Sequence, residues 1–232
     1  MGADEERGTR PSALGSAERD PARGSPSGGN GERAVHALLL AAGSGSRFGD
    51  NKLLATLHGR PLIAHSAAAV AEAIAAGVLA GGVAVAPPDA TELVSHLDAA
   101  GLWVVENPEA RRGMATSLKR GLEALGHLSP AVGGALIVLG DQPGLRLDVV
   151  RRLVEAWRQT HRTVRPRYHA APAEPGHPVL LDRSLWPLAA RLSGDTGLRD
   201  LLAGQPVTLI DVPGDNPDVD TPAELRQLED QR

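Results

Sequence analysis

Two apolar rhythms alternate along this chain. Val35–Ala41 is an apolar run broken only by His36, the pattern of a strand buried on both faces. Pro61–Ala76 (PLIAHSAAAVAEAIAA) opens with proline, is rich in alanine and is followed by Gly77, which predicts a helix. Val78–Ala86 predicts a second strand, Asp89–Ala100 a helix and Leu102–Glu106 a short third strand. Met114–Leu125 is helical, Ala135–Leu139 (ALIVL) is a fourth buried strand and Leu147–Thr160 is helical again. The remainder is less regular, with strands near Val164–Tyr168 and Pro178–Leu181 and helices near Ser184–Leu192 and Leu198–Ala203. A strand at Val207–Val212 and a helix from Pro222 complete the pattern, without internal repeats. The alternation predicts an α/β fold, a three-layer, doubly wound, mostly parallel sheet with helices on both faces. Ligands of such sheets sit outside the carboxyl ends of the strands, so the residues just beyond each strand are the candidates for chemistry.

Residues 1–33 break the rhythm. They are rich in Gly, Ser and Pro, nearly balanced in acids and arginines, and lack apolar periodicity. Such a segment cannot offset its own ordering entropy, which predicts a disordered tail before a single domain at 34–232. It has no apolar core of a signal peptide, and no later stretch is apolar for long enough to span a membrane. The expected location is the cytoplasm, with no membrane partner.

Composition narrows the function. At 232 residues the chain suits one sizeable domain with a real core. A net charge of -4 gives no general electrostatic reason to bind nucleic acid, and aromatic residues at 2% argue against base-stacking platforms. The absence of cysteine excludes a disulfide framework, a thiolate zinc site and a cysteine nucleophile.

The loop after the first strand, AAGSGSRFGDNK, carries the first candidate chemistry. With Gly43 and Gly45 in place, the third glycine of a dinucleotide fingerprint would fall at Phe48, and no Gly-Lys-Ser/Thr follows at Walker A spacing. Glycines nevertheless let the main chain approach an anion, and Arg47 and Lys52 supply permanent cations beside them. A polyphosphate site is favoured over an ordinary strand–helix connection. Two acids lie at other strand ends. Asp141, in ALIVLGDQP, stands just beyond a buried strand, where an aspartate can also serve as a turn former. GDNPDVDTPAEL places Asp218 and Asp220 before a helix; Thr221, Pro222 and Glu224 read as its capping box, and Asp220 could be a favourable charge at its N-terminus. Together with a cationic phosphate loop, Asp141 and Asp220 suggest a divalent metal held by two carboxylates and nucleotide oxygens, as magnesium is held.

LAAGSGSRFGDNK, VLGDQP and DVDTP together resemble the nucleotidyltransferases of molybdenum cofactor maturation, and within them the molybdopterin cytidylyltransferases. NPEARRGMATSLKRGL, GHPVLL and SGDTGLRDLL agree, so the resemblance runs from Val35 to the C-terminus. It implies a Rossmann-like nucleotidyltransferase fold and transfer of a nucleoside monophosphate, CMP from CTP, to the phosphate of the molybdopterin cofactor with release of pyrophosphate. It implies backbone contacts to the nucleotide from Ala42, Gly43 and Gly45, and neutralisation of the triphosphate by Arg47 and Lys52. Gly113 and Ser117 match the base-contacting portion, although Ser117 can equally be read as a helix N-cap. Asp141 and Asp220 match the Mg2+ ligands, with Arg47, Lys52 and Asp141 as the catalytic set. His177 and Asp195 fall on the acceptor side. Expected partners are the NTP, a molybdopterin-type acceptor and a molybdoenzyme or its chaperone. Phe48 stands where the family often has Met, and RYHAAPAEPGHP replaces a usually shorter turn. Two other readings remain: an NAD(P)H-dependent oxidoreductase resembling nicotine blue oxidoreductase, and a non-catalytic cofactor-delivery module. Neither needs the pair of carboxylates together with the two cations.

Overall fold

The computed structural model describes residues 33–43, 48, 52–128 and 130–231. The tail expected at 1–33 therefore lies outside the described residues except for Arg33, and the loop residues Gly45 and Arg47 lie outside them as well. Strand β1 (Ala34–Leu40) is followed by a 3-10 turn, Lys52–Leu54, and a small antiparallel pair, β2 (Thr56–Leu57) and β3 (Arg60–Pro61). Then come α1 (Leu62–Ala75), β4 (Gly82–Ala86), α2 (Thr91–Ala99), β5 (Trp103–Glu106), a 3-10 turn at Ala110–Arg112, α3 (Met114–Leu128) and β6 (Val132–Leu139). The second half runs α4 (Leu147–Thr160), β7 (Thr163–Tyr168), β8 (Val179–Asp182), a 3-10 segment at Arg183–Arg191, α5 (Leu198–Leu202), β9 (Val207–Val212) and α6 (Pro222–Glu229).

Seven strands form one sheet in the order β5-β4-β1-β6-β8-β7-β9. Within it β5, β4, β1 and β6 run parallel, as do β7 and β9, whereas β8 is antiparallel to both its neighbours. The alternating side chains of β1 and β6 explain why the sheet is covered twice. Ala37, Leu39, Leu136 and Val138 point to a core shared with α1, α2 and α4, while Leu38, Leu40, Ala135 and Ile137 point to a core shared with α3 and α5. Strands buried on both faces read as continuous apolar runs for this reason. The expected three-layer, mostly parallel α/β architecture is the one observed.

Three local readings change. The strand expected from Val78 begins at Gly82, because Gly77 takes a left-handed φ of +67° and the amides of Val78 and Leu79 donate back to the Ala73 carbonyl. The helix expected at Ser184–Leu192 is a 3-10 segment containing Pro187, whose ring nitrogen cannot donate a helical hydrogen bond. Pro61 ends β3 and precedes the first residue of α1 rather than occupying its first turn. The β2–β3 pair, turned by His58 and Gly59 at positive φ, is too short to leave a periodic signature.

Candidate functional site

The carboxyl ends of β1 and β6 lie side by side because these two strands pair along their whole length. Ala42 and Gly43 follow β1, and Asp141 follows β6 one residue beyond Gly140. Lys52, at the start of its 3-10 turn, reaches across to the acids. Its Nζ donates to Asp141 Oδ2 at 2.7 Å and to Asp220 Oδ1 at 2.9 Å. Burial lowers the Lys52 pKa, but the hydrogen bonds and charges of Asp141 and then Asp220 outweigh it and hold the pKa above its ordinary value. The lysine is therefore an ammonium.

Asp220 comes within reach because the segment before α6 is tied to the end of β6: the Val219 amide donates to the Asp141 carbonyl at 3.1 Å. The capping box forms as read. Thr221 Oγ1 accepts from the Glu224 amide, and Glu224 Oε2 accepts from the amides of Asp220 and Thr221. Glu224 thus satisfies the helix terminus, and the Asp220 carboxylate is left to face Lys52 instead of capping α6. Phe48 packs with Val219, Leu57 and Leu62, anchoring the described part of the loop beside the same segment.

The opposite wall comes from the start of α3 and the residues after the Arg183–Arg191 segment. Asn107, buried beyond β5, donates through Nδ2 to Thr116 Oγ1 and Ser117 Oγ, each at 2.9 Å, and its Oδ1 accepts from the Glu109 amide. Ser117 lies inside α3 rather than at its N-cap, so its hydroxyl is engaged by Asn107 and not by capping. Gly113 takes φ +111° and lies against Gly194, whose carbonyl accepts from the Ala115 amide at 3.2 Å. That contact carries Asp195 to the cleft.

A single cleft is consequently lined by Ala42, Gly43, Lys52, Gly113, Ser117, Asp141 and Asp195, which collects most of the described candidates. Asp220 joins it through Lys52. His177 is the exception: it does not line this cleft. Burial, and then the nearby Arg165 charge, push its imidazole pKa down to about 4, so the ring is neutral. Its carbonyl accepts from Tyr168 Oη at 2.9 Å and from Asn216 Nδ2 at 3.4 Å.

Several supporting residues were not singled out in the sequence. Ser66 on α1 gives its hydroxyl to the Gly140 and Gln142 carbonyls, at 3.2 and 3.1 Å, and so brackets Asp141. Buried Gln142 donates to Asp218 and accepts from Asn216 Nδ2. Arg111 also lines the cleft. An unpaired small polar residue on an alanine-rich helix or a Gln beside an Asp has no recognisable spacing, and only the fold brings these groups together.

The donor set suits a divalent cation. Among the described residues Asp141 Oδ1 is buried and has no hydrogen-bond partner, an unspent acceptor on the carboxylate that Lys52 already orients. A buried acceptor without a partner carries a desolvation cost that a hard cation would relieve. Among the described residues no three His, Cys, Asp or Glu side chains converge, so further ligands would have to come from substrate oxygens and water.

Among the described residues no helix is long and apolar enough to cross a membrane. The fold is similar to the crystal structure of Rv0371c from Mycobacterium tuberculosis H37Rv, with TM-score 0.72 and 26% identity over 87% of this chain and 100% of that one. A manganese complex of Rv0371c gives TM-score 0.66 at 23% identity over the same shares of the two chains. A nucleotidyl transferase from Methanothermobacter matches with TM-score 0.66 and 22% identity over 85% of this chain and 96% of that one. CMP:2-keto-3-deoxy-manno-octonic acid synthetase in complex with CTP matches with TM-score 0.64 and 14% identity over 86% and 97%. No curated protein gives a sequence match. The model of the MobA-like NTP transferase domain matches residues 37–209, and the chain belongs to that family of nucleotidyltransferases.

Proposed function

We propose that this protein transfers CMP from CTP to the phosphate of a molybdopterin-type acceptor and releases pyrophosphate. The observation that carries the reading is the Lys52 ammonium held between Asp141 and Asp220 at the open end of β1 and β6. The choice of cytidine and of the acceptor rests on the likeness of LAAGSGSRFGDNK, VLGDQP and DVDTP to the molybdopterin cytidylyltransferases.

In this reading an oxygen of the acceptor phosphate attacks the α-phosphorus in line, a new P–O bond forms, the α–β bridging bond breaks and pyrophosphate departs. The acceptor is already anionic at neutral pH, so no side chain need remove a proton. Ala42 and Gly43 offer the triphosphate a surface without bulky side chains, and Lys52 and Arg47 neutralise its oxygens. Gly113, Ser117 and Asp195 line the same cleft; in this reading Gly113 and Ser117 would contact the base and Asp195 the acceptor. His177 would act on the acceptor side only indirectly, through its carbonyl, which accepts from Tyr168 Oη and Asn216 Nδ2. Asp141 and Asp220 would hold Mg2+, which supplies charge neutralisation at the phosphates; the manganese complex of Rv0371c supports a divalent cation. Catalysis is then positioning and electrostatics.

The test is pyrophosphate release by the full chain from CTP, GTP, UTP and ATP, with magnesium and with or without molybdopterin cofactor. CTP turnover that requires the cofactor is expected. Binding of NADH without magnesium, and of no NTP with it, would sink the reading in favour of a redox enzyme.

A further inference from the structure

Three charges meet at the strand ends, and one of them occupies the place a divalent cation would claim. Lys52 Nζ spans both carboxylates, at 2.7 Å from Asp141 and 2.9 Å from Asp220. It is also the most deeply set of the three, with a side chain 11% exposed against 22% for Asp141 and 49% for Asp220. A metal ion shared by the two aspartates would compete with the ammonium for the same two carboxylates. Among the described residues Asp141 Oδ1 is buried without a partner, but the ammonium already holds the other oxygen of Asp141 and one of Asp220, so a cation shared by the pair would stand beside it.

We propose that Lys52 is a built-in counter-ion that closes the carboxylate pair to free divalent cations and releases it only when a nucleoside triphosphate arrives to take the ammonium. The inference rests on the nucleotidyltransfer reading above. The charges make the exchange conditional. A cation entering before the nucleotide either meets the ammonium at close range or expels it from its two counter-charges, and an ion stripped of partners in a partly buried place is costly. A triphosphate removes that obstacle, because it presents several anionic oxygens to the displaced lysine. Ala42 and Gly43 line the same cleft as Lys52, so a triphosphate lying on them would be within the same cleft as the ammonium. Lysine suits the task better than arginine would, being a compact charge on a flexible stem rather than a planar fork locked onto one carboxylate. Metal and nucleotide then bind with positive coupling, and by linkage each strengthens the other by the same factor.

The test titrates Mn2+ into the full chain without nucleotide and follows free Mn2+ by electron paramagnetic resonance. Lys52→Met is expected to bind Mn2+ about ten-fold or more tightly than the wild type, the size of an ordinary coupling between sites. Lys52→Met/Asp141→Asn should lose the gain. Mn2+ should also raise the unfolding temperature of Lys52→Met more than that of the wild type, a readout that a less stable variant still gives. Equal Mn2+ affinity in Lys52→Met and wild type would overturn the proposal. Should that variant fail to fold, the wild type decides: Mn2+ binding equally tight with and without a non-hydrolysable CTP analogue would overturn it too. If the wild type turns over CTP with metal but Mn2+ affinity ignores the lysine, this inference alone has failed. If no NTP binds with any divalent cation, the transferase reading has failed.

Discussion

Gly113 lies so close to Gly194 that a Cβ on Gly113 would stand 2.2 Å from the Gly194 carbonyl carbon and oxygen. The contact joins the start of α3 to the loop that carries Asp195, and Gly113 reaches it only with φ at +111°, where L side chains are strained. This wall of the cleft depends on that approach. Gly113→Ala must push the loop away from α3 and twist the turn before it. The expected outcome is a loss of about 2–3 kcal/mol of stability in urea unfolding, by overpacking against backbone. CTP affinity should fall at least about ten-fold by calorimetry, since Ser117 and Asp195 would no longer share one cleft.

Ser66 holds the other wall from a distance. It touches no proposed substrate, yet its hydroxyl meets the carbonyls on both sides of Asp141. Ser66→Ala leaves those buried acceptors with one partner fewer, a cost of about 1–3 kcal/mol. Urea unfolding should show that loss. Turnover should fall as well, because the Asp141 backbone gains freedom. An unchanged turnover number beside lowered stability would limit Ser66 to the fold.

The fold was legible where the physics is periodic. Runs such as Ala135–Leu139 must be buried on both faces, so they announce central strands, and α4 begins and ends where its amphipathic pattern does. The orientation of β8 was not legible: an apolar strand looks the same in either direction, and only its pairing with β6 and β7 reveals it as antiparallel. The residues of the site follow the same rule. Lys52, Asp141 and Asp220 were readable only together: each acid alone has a structural explanation, as a turn former or a charge at a helix terminus, and the cationic glycine loop and the family resemblance single them out. Their mutual contact, over sequence separations of 89 and 168 residues, comes from the pairing of β1 with β6 and from the Val219–Asp141 hydrogen bond. Asn107, Ser66 and Gln142 act through partners that the sequence does not place beside them.

Adjacent residues before α6 divide chemistry from structure. Thr221 caps the helix, whereas the Asp220 carboxylate faces Lys52. Thr221→Ala should therefore cost about 1 kcal/mol of stability with turnover little changed. If the proposed reaction holds, Asp220→Asn, and more strongly Asp141→Asn, should lower CTP turnover about 100-fold or more, beyond the stability lost when Lys52 gives up a counter-charge. Pyrophosphate release and urea unfolding measured on the three variants separate the two roles; Asp141→Asn turning over near the wild-type rate would refute the metal assignment.

Acid should destabilise this protein through His177. Burial and the Arg165 charge depress its folded pKa from 6.5 to about 4. Between those values the unfolded chain binds a proton that the folded one refuses, so stability rises with pH across this window and is lost as pH falls through it. Below about pH 4 both forms are protonated and the loss is complete. A depression of this size corresponds to about 3 kcal/mol. Burial lowers the His36 pKa as well, which adds to the slope in the same direction. His177→Phe removes the titrating group while keeping an aromatic ring in its place. Urea unfolding at steps between pH 4 and pH 7 should show a slope in the wild type that is shallower in His177→Phe, the remainder being due to His36 and the carboxylates. Equal slopes in the two proteins would mean that the folded imidazole takes up its proton as readily as the unfolded one, and that burial does not depress it.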